Sequence, residues 1–292
     1  MIPAASGLSV LQRVSRADVR AEPFPHLVVD NALPADLCDA LLASYPHPAA
    51  LGVDLAANNS RWSVGVAAAR ANPAVPALWR DFLAYHASAA FFAEFLELFG
   101  LYILATHPEH YPDPHTLGAL RPGVRAKDDW QRADVLLDAQ LGGNTPVRAA
   151  SSVRGLHVDK GDKLYSGLFY LRRDDDHARG GDLEIHRFRP RLSTWRRERA
   201  FNEYSVDPGA TEWVTTVPYR QNTLVLFLNS LDSLHGVTVR EPTSHCRLFL
   251  NLVGEVDPPL YRYPRPEPWL AAPRRLGKRL RRWIGRPAHA PG

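Results

Sequence analysis

Gly155-Leu156-His157-Val158-Asp159 is the stretch on which the fold turns, read with Ser233-Leu234-His235 and with Arg247 beyond it. Successive side chains on an extended strand point to opposite faces, so His157 and Asp159 project to the same side. An imidazole and a carboxylate side by side can take neighbouring positions around a metal ion. His235, arriving from a separate strand, completes a set of two histidines and one carboxylate. Such a set covers one face of an ion and leaves three positions open, the arrangement expected for mononuclear non-haem Fe(II). An isolated H-x-D arises often by chance, so the surrounding chain has to support it.

The surrounding chain reads as a series of core strands. Tyr165 to Leu171 is aromatic and apolar, Asp174 to Gly181 is turn chemistry, and Asp182 to His186 alternates like a returning strand. Asn222 to Leu228 is another core strand, followed by the polar loop that delivers His235. Cys246 to Val253 opens with a cation, Arg247, inside an apolar run. With an H-x-D, a Gly-Gly hairpin, a distal His and then an Arg, the chain resembles the Fe(II)/2-oxoglutarate-dependent oxygenases, specifically their prolyl-hydroxylase-like branch. The resemblance covers residues 130–255 in full pattern and the preceding region more loosely. Leu33-Pro34 opening a helix after a short strand matches how many of these oxygenases begin.

The resemblance implies a mainly β fold with flanking α-helices, a double-stranded β-helix of the jelly-roll or cupin-like kind. It implies Fe(II) held by His157, Asp159 and His235, with 2-oxoglutarate and O₂ as co-substrates and ascorbate as a candidate reductant. Arg247 would hold the distal carboxylate of 2-oxoglutarate, because a planar guanidinium fork can pair bidentately and is costly to bury unpaired. Arg247, Phe249 and Asn251 share one face of their strand, while Leu248, Leu250 and Leu252 pack the other. Tyr170 is the second expected contact, since family members often place a Tyr there. Arg240 is a rival for the carboxylate, set in a loop that points it away. The family's Arg-x-Ser is not kept: Phe249 stands where the Ser would be. Reaction would release succinate and CO₂, and Asp159 favours hydroxylation, because halogenating relatives lack that carboxylate. Two other readings stay open: a metal-binding cupin that does not use 2-oxoglutarate, and a non-catalytic scaffold. The first leaves Arg247 unexplained and the second leaves the triad without a purpose.

The 292 residues are enough for one large domain. The net charge of +4 sits in the tail: residues 268–292 hold seven Lys or Arg and no acid, so residues 1–267 carry 28 cations against 31 acids. That distribution argues against a nucleic-acid-binding body. The expected organisation is a single oxygenase domain over 1–267, with an N-terminal helical part and a β core at 130–255, then a basic amphipathic tail over 268–292. In the tail Leu276, Leu280, Trp283 and Ile284 share a helical face ringed by cations, suited to an anionic membrane surface, an acidic partner or docking on the body. Cys38 and Cys246 are far apart, which suits a reducing cytoplasm rather than a disulfide framework. No stretch reads as a signal peptide or as long enough to cross a membrane. A small-molecule, carrier-linked or peptide substrate is expected, and the oligomeric state is left open.

Elsewhere the pattern predicts a poorly anchored segment over 1–21, a turn over 58–65 leading into a strand that ends before Pro73, and one helix over 77–99 stopped by Gly100. Gly142 to Pro146 reads as a turn. His107, His110 and His115 tempt a metal assignment, but three prolines put them on a loop. Asp174 to Asp176 resembles a glycosyltransferase D-x-D and reads better as a hairpin loop. Arg154, three residues before His157, is expected on the opposite face of a regular strand. The Arg-rich insertion over 187–205 is read as either a solvated segment or a flap over the site.

Overall fold

The computed structural model describes residues 5–264, and the tail expected over 268–292 lies outside them. The strands are β1 (His26–Asp30), β2 (Arg61–Val64), β3 (Pro122–Val124), β4 (Val135–Asn144), β5 (Lys163–Tyr170) and β6 (Leu183–Phe188). They continue with β7 (Phe201–Asn202), β8 (Ser205–Val206), β9 (Thr211–Val217), β10 (Thr223–Leu228), β11 (His235–Val237) and β12 (Arg247–Val256). The helices are α1 (Ala35–Ala43), α2 (Val66–Ala71), α3 (Ala77–His86), α4 (Ala89–Thr106), α5 (Pro114–Gly118) and α6 (Thr194–Ala200).

One sheet runs β1-β10-β5-β12-β4-β2, with β3 parallel to β4; a second runs β11-β6-β9. His157 adds a single antiparallel bridge to His235 at the edge of the second sheet. From β4 onward the chain therefore alternates: β4, then His157, β5, then β6 and β9, β10, β11, β12. That back-and-forth winding between two sheets is the double-stranded β-helix, mainly β with helices on one side.

Both faces of the larger sheet are covered, which is why its strands read as continuous apolar runs. Leu248, Leu250 and Leu252 of β12 join Val135, Leu137 and Leu141 of β4 in the core beneath the helices. Phe249 faces the other way, packing with Tyr170, Val225 and Phe227 against Leu183, Ile185 and Val217 of the smaller sheet. Gly142 and Gly143 extend β4 instead of turning. A Cβ on Gly142 would lie 2.8 Å from the Phe249 ring opposite it, so only glycine leaves room for that pair.

Four other expectations change. The 77–99 helix is two helices, because Ser88 caps α4 by accepting the Phe91 amide. Gly100 does not end α4: a mid-helix glycine costs about 1 kcal/mol, less than the roughly 2 kcal/mol that burying each of Phe99 and Ile103 contributes. The resulting 18-residue α4, mean hydropathy 1.6, is long and apolar enough to cross a membrane by length and composition, although Phe91, Phe95 and Phe99 sit in the core. The stretch read as a turn holds β2, and α2 stands where the strand before Pro73 was expected, its start held by the Val66 amide donating to Asp138 (2.9 Å). The N-terminal segment is anchored: Val10, Leu11 and Val19 are buried, and Ser9 and Tyr85 both donate to Glu94.

His86 closes that anchor. Its Nδ1–H lies against the Phe82 carbonyl (2.8 Å) and its Nε2 accepts the Val10 amide (3.1 Å), so the ring is neutral in the fold. Burial pushes its pKa down to about 4. The unfolded chain takes up this proton near pH 6.5 and the folded chain only near 4, so stability is lost as pH falls from 6.5 and levels off below 4. The loss should approach about 3 kcal/mol. In urea titrations the His86→Gln variant should show a shallower decline between neutral and acid pH; an undiminished slope would place the titrating group elsewhere.

Candidate metal centre

His157 and His235 face each other because their backbones exchange two hydrogen bonds, His157 N–H to His235 O (2.9 Å) and His235 N–H to His157 O (3.0 Å). Their rings come to 4.2 Å between centroids. Each Nδ1 is 2.8–2.9 Å from a nearby carbonyl, Gly155 for His157 and Ser233 for His235. A carbonyl only accepts, so Nδ1 carries the hydrogen and the Nε2 lone pair is free. Metal-binding imidazoles are oriented in this way.

Asp159 is not on a strand with His157; the segment makes one bridge and then leaves the sheet. Its carboxylate is placed by Ser166 Oγ (2.6 Å), Lys163 Nζ (3.2 Å) and Arg154 Nη1 (3.4 Å). Its carbonyl accepts from the hydroxyls of Tyr261 (3.0 Å) and Tyr263 (2.9 Å), which pin the backbone. One ligand atom from each of His157, Asp159 and His235 lies within 4.8 Å of the other two, and all three residues are buried. Among the described residues this is the one group of three or more such side chains able to hold a metal.

The protonation states of the three groups suit metal ligation. Burial, followed by the neighbouring His235, holds His157 well below the usual histidine range; burial lowers His235 as well. Burial alone would raise the Asp159 carboxyl, but the Lys163 ammonium above all, with the Ser166 hydrogen bond, holds it well below the usual range. Two neutral nitrogens and one carboxylate thus converge on one point.

Arg247 lines the same cavity and is 2% exposed. Its Nη1 makes one long contact to Asn144 Oδ1 (3.4 Å), while Nε and Nη2 are buried without a partner. The guanidinium is framed by the rings of Tyr170 (4.8 Å), Tyr219 (5.0 Å) and Phe249 (5.2 Å). Tyr170 stands beside Arg247 with its own hydroxyl buried and unpartnered, but outside the residues lining the cavity. Tyr219 was not anticipated; it lies in a loop with no periodic signal and donates its backbone N–H to Asp182 (2.8 Å).

Arg240 is buried rather than solvent-facing, and it is committed to Asn59, the Thr145 carbonyl and the His245 carbonyl. Arg154 turns toward Asp159 because the segment is irregular, not a flat strand. The insertion lies over the metal segment: Ser205 bridges His157, and the Tyr204 ring stands edge-on to His157 at 6.5 Å. His107 gives its Nε2 to the Asn229 carbonyl (2.8 Å) and takes no part in the triad. The Asp174–Asp176 segment is a loop paired with Arg172 and Arg173. Asn251 lines the cavity too, on the face of β12 that the two-residue period shared with Arg247, whereas Arg61, Lys163 and Ser166 also line it and carried no motif by which to find them.

No family model matches the chain and no curated protein matches it. Among solved structures it is similar to a prolyl-4-hydroxylase from Pseudomonas putida (17% identity, TM-score 0.43, 87% of this chain and 100% of that one). It is similar to a prolyl 4-hydroxylase from Phytophthora capsici (17% identity, TM-score 0.47, 97% and 77%). HygX from Streptomyces hygroscopicus, solved with nickel and 2-oxoglutarate bound, is a further similar structure (16% identity, TM-score 0.34, 80% and 83%).

Because both imidazoles stay neutral below the usual histidine range, Co(II) affinity should hold nearly constant from pH 8 to about 6.5 and decline only in more acid solution. Calorimetric Co(II) titrations across that interval check this. A steep fall beginning above pH 7 would mean that the ligands are other groups.

Proposed function

We propose that this protein is an Fe(II)- and 2-oxoglutarate-dependent dioxygenase that hydroxylates an unactivated C–H bond of a small-molecule, carrier-linked or peptide substrate, releasing succinate and CO₂. The observation that carries this reading is the Arg247 guanidinium, buried beside the His157–Asp159–His235 set with two of its nitrogens unsatisfied. Leaving a buried cation unpaired costs several kcal/mol. A carboxylate entering the cavity would satisfy both free nitrogens of the fork at once. Neither a structural metal site nor an apolar-ligand pocket accounts for that orphaned group.

Bound iron would supply the redox centre at which O₂ is activated as 2-oxoglutarate is decarboxylated. The remaining work falls to the chain. Nδ1–H bonds to Gly155 and Ser233 hold the two imidazoles in the ligating tautomer. Ser166 and Lys163 keep Asp159 ionised and turned inward. Leu168, Leu183, Phe227 and Phe249 wall the cavity with apolar surface, which strengthens the Arg247–carboxylate attraction by lowering the local dielectric. The aromatic faces around Arg247 hold the fork in place before any ligand arrives.

Anaerobic addition of Fe(II) and then 2-oxoglutarate should produce a visible metal-to-ligand charge-transfer band. Arg247→Ala should weaken 2-oxoglutarate by at least about 100-fold while leaving Fe(II) affinity within about threefold, since the guanidinium touches no ligand atom. If folded, iron-loaded protein gives no band, the cupin reading without 2-oxoglutarate replaces this one.

A further inference from the structure

The cavity holds more positive charge than its own acid balances. Arg61, Arg154, Lys163 and Arg247 line it, against the single carboxylate of Asp159. On the proposed function the dication and the dianionic co-substrate add no net charge, so the cavity stays net positive even with the distal carboxylate beside Arg247. Lys163 is matched to Asp159 at 3.2 Å. Among the described residues Arg61 has no carboxylate partner, and Arg154 has only a 3.4 Å contact to the Asp159 carboxylate that Lys163 already holds more closely.

Both are positioned. Arg61 donates from Nη2 to Asn251 Oδ1 (3.1 Å); Asn251 donates to Gln140 (2.8 Å), and Gln140 to Asp138 (2.7 Å). This relay crosses β12 and β4 and fixes Arg61 through neutral amides. The carboxylate at its far end is already paired with Arg125 (3.4 Å). The Arg61 guanidinium also lies over the Phe249 ring at 5.4 Å. Arg154 is held over Tyr204 at 5.0 Å, and its contact to Asp159 Oδ1 is long at 3.4 Å. Arg61 is exposed and Arg154 half-buried, so each fork has N–H groups to spare at the mouth of the cavity.

We propose that Arg61 and Arg154 form a subsite for a negatively charged group on the molecule that is oxidised, a carboxylate or a phosphate. Identifying that molecule as the substrate rests on the oxygenase reading; the anion site itself does not. Guanidinium forks favour planar or tetrahedral oxyanions through paired N–H donors. A cavity of one sign also concentrates oppositely charged ligands from solution. Neutral compounds of the same shape would leave both cations unanswered.

Calorimetry on the full chain with benzoate, phenyl phosphate and the neutral benzyl alcohol tests this, with Arg247 left in place. At least one anion should bind while benzyl alcohol does not, and the better of the two names the charged group. Arg61→Gln and Arg154→Gln should each weaken that anion about tenfold, with Arg61→Lys and Arg154→Lys recovering part of the loss. Unchanged binding in the Gln variants, equal binding of the alcohol, or no binding of either anion overturns the proposal. The iron and 2-oxoglutarate titration run on the same wild-type sample separates the two ideas: anion binding that depends on Arg61 and Arg154 without a charge-transfer band sinks the oxygenase reading alone.

Discussion

Two reciprocal backbone hydrogen bonds between His157 and His235 hold the rest of the site together. They tie a short irregular segment to the edge of the smaller sheet and place two imidazoles opposite each other. In a narrow antiparallel pair, opposed residues are within easy reach of one another, so side-chain proximity follows from the pairing itself. Asp159 reaches the same point from a segment that has left the sheet after Val158. The tyrosine hydroxyls on its carbonyl, and Ser166 and Lys163 on its carboxylate, replace the order that a strand would have provided.

Around this point the interior is built to keep charge in a specific place. Phe249 occupies the position between Arg247 and Asn251 on the inward face of β12, and Gly142 on β4 makes room for it. The same ring faces two guanidiniums, Arg247 at 5.2 Å and Arg61 at 5.4 Å. An aromatic face stabilises a cation without neutralising it, so both forks remain available to anions. A serine at this position could offer one hydrogen bond; phenylalanine offers a surface to both cations.

Much of this was legible in residue order. Apolar runs over 165–171, 222–228 and 246–253 became β5, β10 and β12, and the period of two put Arg247, Phe249 and Asn251 on one face. The helical stretch over 77–106 was harder, because Phe and Leu satisfy helical spacing on both sides of Ser88. Gly100 misled because a glycine's helix penalty is local, whereas the burial that outweighs it comes from residues elsewhere in the fold. The N-terminal segment misled for the same reason: Ser9 and Val10 have no pattern of their own, and their partners, Glu94 and His86, are more than seventy residues away.

The sequence by itself determined which groups were available and which strands would carry them: H-x-D, a distal histidine, and a cation opening an apolar strand. Residue type and the two-residue period of a strand are properties of neighbours in the chain, so they survive without coordinates. Only the tertiary structure decided that Arg240 is saturated while Arg247 is not, that Arg154 turns inward, and that Arg61 joins the same cavity through a relay of amides. Those outcomes depend on how hydrogen-bond donors and acceptors from segments distant in the chain meet and balance once the fold brings them together.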